Sequence, residues 1–209
     1  AERLMPRIDA HQHFWRYDPW RDAWISEAMA VLRRDFLPAD LAPLLAANLV
    51  DGCVAVQADQ SEAETQFLLD LARDHSFIRG VVGWVDLRSP QVAERLAHFA
   101  SDRHFRGVRH LVQGEPNDEF LLQEDVVRGI RALTPLGLTY DLLLVPRQLR
   151  AATRLAAMLP DQRFVLDHIA KPLIKDGVLE PWASDLGALA MQPNVWCKQI
   201  GRASCRERV

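Results

Sequence analysis

Near the amino terminus the chain reads Ile8-Asp9-Ala10-His11-Gln12-His13-Phe14-Trp15. Side chains alternate along an extended strand, so Asp9, His11 and His13 share one face. Two imidazoles held side by side at a strand end can grip a metal, polarise a carbonyl or hydrogen-bond a substrate. A solvated histidine-rich turn would read the same way over so short a motif. What separates the two readings is whether later elements bring further polar groups to the same place.

Such groups recur at the ends of later strand-like runs: Gln57, Asp86, Arg109 and His110, Asp141, Asp167 and His168, then Lys171 and Lys198. One or two would be unremarkable, but a titratable or hydrogen-bonding residue at nearly every strand end describes a shared polar pocket. Gln57 reads equally as a strand cap and as a substrate contact, and Asp86 as a turn residue. Arg109 and His110 are adjacent, so a regular strand turns only one of them inward, and His110 could equally be a core histidine bonded to a carbonyl. Asp141 lies in Tyr140-Asp141-Leu142-Leu143-Leu144, where an unpaired carboxylate would be costly and a His or Lys partner is expected. Asp167-His168 directly follows a buried strand, and there the functional reading outweighs the structural one. Lys171, before Pro172, is evenly balanced. His75, His98 and His104 fall in helices or at helix ends and read as surface residues.

The elements that must position these groups alternate in type. After the first strand comes a loop carrying Trp15, Tyr17, Trp20 and Trp24, broken by Pro19; packing is the simpler reading for most of these rings, a pocket wall the other. Pro38 opens a helix with Leu41, Leu44 and Leu45 on one face. Residues 52–57 read as a strand apolar on both faces, as parallel strands are. Ser61 and Glu64 form a capping box ahead of a stripe of Phe67, Leu68 and Leu71. Strands are predicted at 78–87, 107–112, 138–145, 164–167 and 195–198. Helices are predicted from Pro90, around 122–133 and from Pro146, with a weaker one before the last strand. Alternating strands and helices imply an α/β fold with a parallel sheet. The first strand–helix turn has no glycine-rich phosphate loop, which argues against a doubly wound sheet. The expectation is a (β/α)8 TIM barrel, incomplete as given, with seven strands present and the eighth missing.

Of 209 residues, 49% are hydrophobic and 25% charged, with a formal net charge of -3. That is ordinary globular composition, with no electrostatic case for nucleic acid or an anionic membrane as partner. No apolar run is long enough to span a bilayer, and the start lacks a signal-peptide pattern. The chain opens on Ala1 rather than Met, so an upstream piece is read as absent. Three cysteines without paired spacing, Cys53, Cys197 and Cys205, argue against a disulfide framework. Cys53 and Cys197 sit in apolar runs and read as small buried hydrophobes. A reducing, cytoplasmic setting is expected. Residues 199–209 abandon the periodicity, turn basic and look like one reading frame of a sequencing-adapter oligonucleotide. They are read as a non-native tail behind a single domain over 1–198.

The opening motif, Gly107-Val108-Arg109-His110, Leu138-Thr139-Tyr140-Asp141-Leu142-Leu143, Pro146-Arg147-Gln148-Leu149 and Val165-Leu166-Asp167-His168-Ile169-Ala170-Lys171-Pro172 occur in this order. Together they resemble the amidohydrolase-2 family, in particular its sugar-lactonase branch (L-fuconolactonase- and L-rhamnonolactonase-like proteins), from about Arg7 to Lys198. The resemblance implies a distorted (β/α)8 barrel that hydrolyses a sugar lactone, with His11, His13 and His168 at the reacting centre. Arg109, His110, Asp141, Lys171 and Gln57 would then hydrogen-bond the polyhydroxylated substrate. Either no cofactor is required or one divalent metal (Zn or Mn) binds at His11 and His13. The family's general base, an aspartate after the eighth strand, has no counterpart, and where the family usually continues Leu-Ser-Gly this chain has Gln199-Ile200-Gly201; a fragment of this kind is expected to be inactive. The alternatives are a metal-dependent hydrolase or decarboxylase of the same superfamily and a barrel that binds a metabolite without turning it over.

Overall fold

The computed structural model describes residues 5–198. The tail reading at 199–209 and Cys205 lie outside the described residues. Seven strands form one sheet in chain order: β1 Ile8–Gln12, β2 Gly52–Val56, β3 Ile78–Gly83, β4 Phe105–His110, β5 Thr139–Leu142, β6 Phe164–Asp167 and β7 Val195–Lys198. Every neighbouring pair is parallel. Helices α1 Pro38–Ala47, α2 Glu62–Asp74, α3 Val92–Ala100, α4 Glu124–Arg131, α5 Leu149–Met158 and α6 Trp182–Ala190 fill the crossovers.

The sheet is strongly curled. Strands lie about 4.8 Å apart, so β1 and β6 in a flat sheet would be separated by roughly 24 Å. Yet His11 Nδ1 on β1 stands 3.6 Å from Asp167 Oδ1 on β6. Seven parallel strands with helices in each crossover, curled this far, are an open (β/α)8-type barrel, as the alternation of elements predicts. Among the described residues, the outer edges of β1 and β7 pair with no further strand.

The core lies between sheet and helices. Cys53, Ala55, Val81, Val108, Tyr140, Leu142, Phe164 and Leu166 are buried beneath Leu68, Leu96, Ile130 and Leu155 from four of the helices. Ser61 Oγ accepts the Glu64 N–H at the start of α2, as the capping box requires. The Glu64 carboxylate turns the other way and accepts the N–H groups of Ala58 and Asp59 at 3.0 and 2.6 Å. It thereby fixes the loop leaving β2.

Several expectations are corrected. The third strand ends at Gly83, not Leu87, and the fifth at Leu142, not Val145; the apolar residues beyond each end pack in loops instead of a ladder. Trp15 packs on Phe36 with ring centroids 4.5 Å apart, but Trp20 is 89% and Trp24 64% exposed. The Asp18 carboxylate captures the N–H groups of Trp20 and Arg21 in a tight turn, which holds Trp20 away from the core. In α1, Leu45 is buried and Leu44 exposed, because Leu44 flanks the unpaired edge of β1. Cys53 is buried, but Cys197 is exposed, lying on the outermost strand. No helix among the described residues is long and apolar enough to cross a membrane.

Candidate active site

The polar residues at the carboxyl ends of β1, β4, β5, β6 and β7 converge inside the curl of the sheet. His13 Nδ1 lies 2.8 Å from the Val56 carbonyl oxygen. A carbonyl only accepts, so Nδ1 carries the proton and donates. Burial, reinforced by Arg109, holds the His13 pKa well below the ordinary histidine value, so the ring is neutral and its Nε2 presents a lone pair. That lone pair faces His11 Nε2 at 3.1 Å. His11 is likewise shifted down, by burial against the opposing pull of Asp167. Arg109 NH1, which only donates, sits 3.3 Å from the same His11 nitrogen.

No arrangement of protons on two neutral rings satisfies both contacts at once. If His11 Nε2 accepts from Arg109, two lone pairs meet at 3.1 Å; if it carries hydrogen toward His13, two donors meet. A positive centre near these nitrogens would resolve the conflict. His168 completes the group, its ring centroid 4.8 Å from that of His11. Burial lowers its pKa to about 4.

Arg109 is 4% exposed. Its NH1 donates to Asp167 Oδ2 at 3.0 Å and its NH2 to the Gln57 carbonyl, while Gln57 Nε2 donates back to the Arg109 carbonyl at 3.0 Å. Burial alone would raise the Asp167 carboxyl, but His11, Lys198 and Arg109 hold it below the usual carboxylate range. The partner expected for Asp141 is Lys198, whose Nζ lies 2.5 Å from Asp141 Oδ2 and 3.6 Å from Asp167 Oδ1. Burial raises the Asp141 carboxyl, and Lys198 opposes the rise. Two carboxylates, one guanidinium and one ammonium thus form a buried network beneath three neutral imidazoles.

Of the candidates, His11, His13, His168, Arg109, Asp141 and Gln57 are brought together, and Lys171 is near enough to act electrostatically on His168. His110 belongs to a separate cluster: Trp84 Nε1 donates to its Nδ1 at 3.3 Å, its Nε2 lies 2.7 Å from Glu115, and its ring stacks on Phe120. Alternation allows only one of Arg109 and His110 to turn inward, and the structure turns Arg109 inward. Asp167 joins the residues assigned a role from sequence: it faces His11, Arg109 and Lys198 at once. His11, Asp167 and His168 each offer a ligand atom within 4.8 Å of one another. The potential metal set therefore extends from His11 to β6 and differs from the His11–His13 clip expected. Asp86 is a turn residue, accepting the Arg88 N–H.

A family model described as amidohydrolase matches residues 8–205. The chain belongs to the amidohydrolase family. Among its relatives, this amidohydrolase is 40% identical over 195 residues to an L-fucono-1,5-lactonase from Burkholderia ambifaria, an alignment covering 93% of this chain and 67% of the relative. It is 42% identical over 201 residues to an L-fucono-1,5-lactonase from Burkholderia multivorans, covering 93% and 68%. A crystal structure of a Burkholderia multivorans amidohydrolase with bound zinc superposes with a TM-score of 0.89 at 41% identity, covering 96% of this chain and 75% of that one.

Proposed function

We propose that this amidohydrolase is a hydrolase that opens a sugar-acid lactone by attack of water on the ring ester, with L-fucono-1,5-lactone the first substrate to test. The reading is carried by one observation: three neutral histidines ring a buried Arg109–Asp167 pair in the curl of the sheet, in a chain 40–42% identical to two L-fucono-1,5-lactonases.

The chemistry follows from the protonation states. Lactone hydrolysis requires a proton acceptor for water and positive or donor groups at the carbonyl oxygen as it gains charge. His168 is neutral at pH 7 because its pKa is held to about 4, so it can take a proton from water or steer it by hydrogen bonding. His11 is aligned by Asp167 on one side and Arg109 on the other. Arg109, held by Asp167 and the Gln57 carbonyl, keeps fixed positive charge beside the histidines. Lys171, Gln57 and Asp141 are proposed to contact or orient the substrate's hydroxyls; His110, expected among them, is tied instead to Trp84 and Glu115 in its own cluster. The aspartate base implied by the family resemblance has no counterpart after β7 in this sequence.

The frustrated His11–His13 contact and the His11, Asp167 and His168 donor set fit a divalent cation, with His13 adjoining. A zinc or manganese ion held there would supply Lewis-acid polarisation of the ester carbonyl. The bound zinc of the Burkholderia multivorans amidohydrolase favours this version over a metal-free one. The test is acid release from L-fucono-1,5-lactone, with and without prior chelation. His168→Ala is expected to lower kcat/KM by at least about a hundredfold. Undiminished turnover in that variant would overturn the assignment, and full activity after chelation would remove the metal but leave the histidines.

A further inference from the structure

At the opposite, amino-terminal rim of the sheet, Arg73, Arg79, Arg103, Arg106 and His104 line one cleft of about 240 Å³ together with Ser76. We propose that this cleft is a second binding site, for a small multivalent oxyanion such as inorganic phosphate or a phosphomonoester.

Three features distinguish it from a solvated arginine-rich surface. The first is the imbalance of charge. Asp102 is spent on the cleft's own cations: it lies 3.0 Å from Arg73 Nε and 3.0 Å from His104 Nδ1. Arg73 also pairs with Asp70 at 2.8 Å. Arg79, Arg103 and Arg106 pair with no carboxylate among the described residues, in a chain whose formal net charge is -3. Cationic groups placed side by side repel unless an anion lies between them.

The second feature is how the arginines are seated. The register slips between Cys53 and Val54 opposite β3, where Arg79 is the extra residue, and between Val81 and Val82 opposite β4, where Arg106 is the extra residue. Bulges of this kind re-aim a side chain and recur at the rims of barrels. Each stem crosses a glycine on the preceding strand. A Cβ at Gly52 would come within 2.9 Å of Arg79 Cγ, and one at Gly80 within 2.8 Å of Arg106 Cγ. Two successive strands thus leave out a side chain where the next strand lays an arginine.

The third is donor chemistry. Guanidinium forks match the geometry of phosphate oxygens and bind them bidentately. Ser76 adds a hydroxyl, and His104, whose Nδ1 is taken by Asp102, keeps its Nε2 for another partner.

The test is calorimetric titration of the full 209-residue chain with inorganic phosphate at low ionic strength. One saturable site is expected, weakened at least about tenfold in the Arg79→Ala/Arg106→Ala double variant and unchanged in Arg88→Ala, an arginine outside the cleft. Circular dichroism reports whether the double variant folds; if it does not, Arg103→Glu, in the loop before β4, must show the same loss. Binding that survives Arg103→Glu or the folded double variant overturns the proposal, as does the absence of saturable binding. Loss of binding in His168→Ala alone would assign the phosphate to the active site and overturn it equally.

Discussion

Lys198 is the residue on which the buried charges balance. Asp141 and Asp167 are 1% and 0% exposed at their side chains, and Lys198 Nζ lies within 3.6 Å of both. Removing one member of a buried ionic network strands the others and costs about 3–5 kcal/mol. Lys198→Met is expected to lose that much in urea unfolding at pH 7, and the Lys198→Met/Asp141→Asn double variant less than the sum of the two single changes. Glu64 gives the molecule a pH dependence of another origin. Burial raises its carboxyl from 4.5 to about 7, against the two N–H groups that favour its charged form. Below pH 4.5 it is protonated in folded and unfolded chains alike. Between pH 4.5 and 7 the unfolded chain releases the proton while the folded one keeps it, so the Glu64 contribution to stability falls as pH rises, by on the order of 3 kcal/mol. His11, His13 and His168, whose pKa values are lowered, act with the opposite sign in the same window, so the Glu64 part is read as a difference: in thermal unfolding the stability of Glu64→Gln relative to the unaltered chain should rise from pH 4.5 to 7. Sequence alone placed Asp141 correctly as a carboxylate in need of a cation, because the cost of burying charge is local knowledge. It could not rank Asp167, whose contacts come from His11, Arg109 and Lys198, which are distant in the chain.

The turn that follows β6 shows what an element must endure to present a side chain. His168, Ile169, Ala170 and Lys171 all have left-handed backbones, with φ of 54°, 47°, 56° and 51°, and none is glycine. Each such residue costs roughly 1–2 kcal/mol. Something outside the turn must hold it, and Trp182 at the start of α6 does so, its indole N–H donating to the Ile169 carbonyl at 2.8 Å. Trp182→Phe keeps the ring and removes the bond; it should destabilise the chain by about 1 kcal/mol and lower kcat for lactone more than it changes KM. An equal change in both, or none, would make Trp182 a packing residue only. The extent of β6 and β7 could be read from apolar runs with polar boundaries, and their predicted limits coincide with the observed ones. The ends of β3 and β5 could not, because loop residues such as Val85, Leu87, Leu143 and Leu144 are as buried as strand residues. Nothing in His168-Ile169-Ala170-Lys171 announces a left-handed turn, since its residue types disfavour one.

Across the whole molecule, stability should be graded from the middle of the sheet outward. The strands β3, β4 and β5 are paired on both sides and covered by helices, whereas β1 and β7 each have one partner among the described residues. Amide hydrogen exchange should be slowest in β3–β5 and fastest in β1 and β7; uniform protection across all seven strands would contradict this. The barrel class could be read from sequence because alternation of strand and helix is a pattern of the entire chain, insensitive to any single boundary. The strand order β1 to β7 has a further consequence during synthesis. Each strand hydrogen-bonds the one made just before it, and each crossover helix lies between them in the chain. A nascent polypeptide can therefore add one strand and one helix at a time to a growing edge as it leaves the ribosome, without waiting for a distant partner. His11 emerges first and acquires Asp167 and His168 only when the sheet has curled through six strands, so the histidine pocket is among the last features of the molecule to come into being.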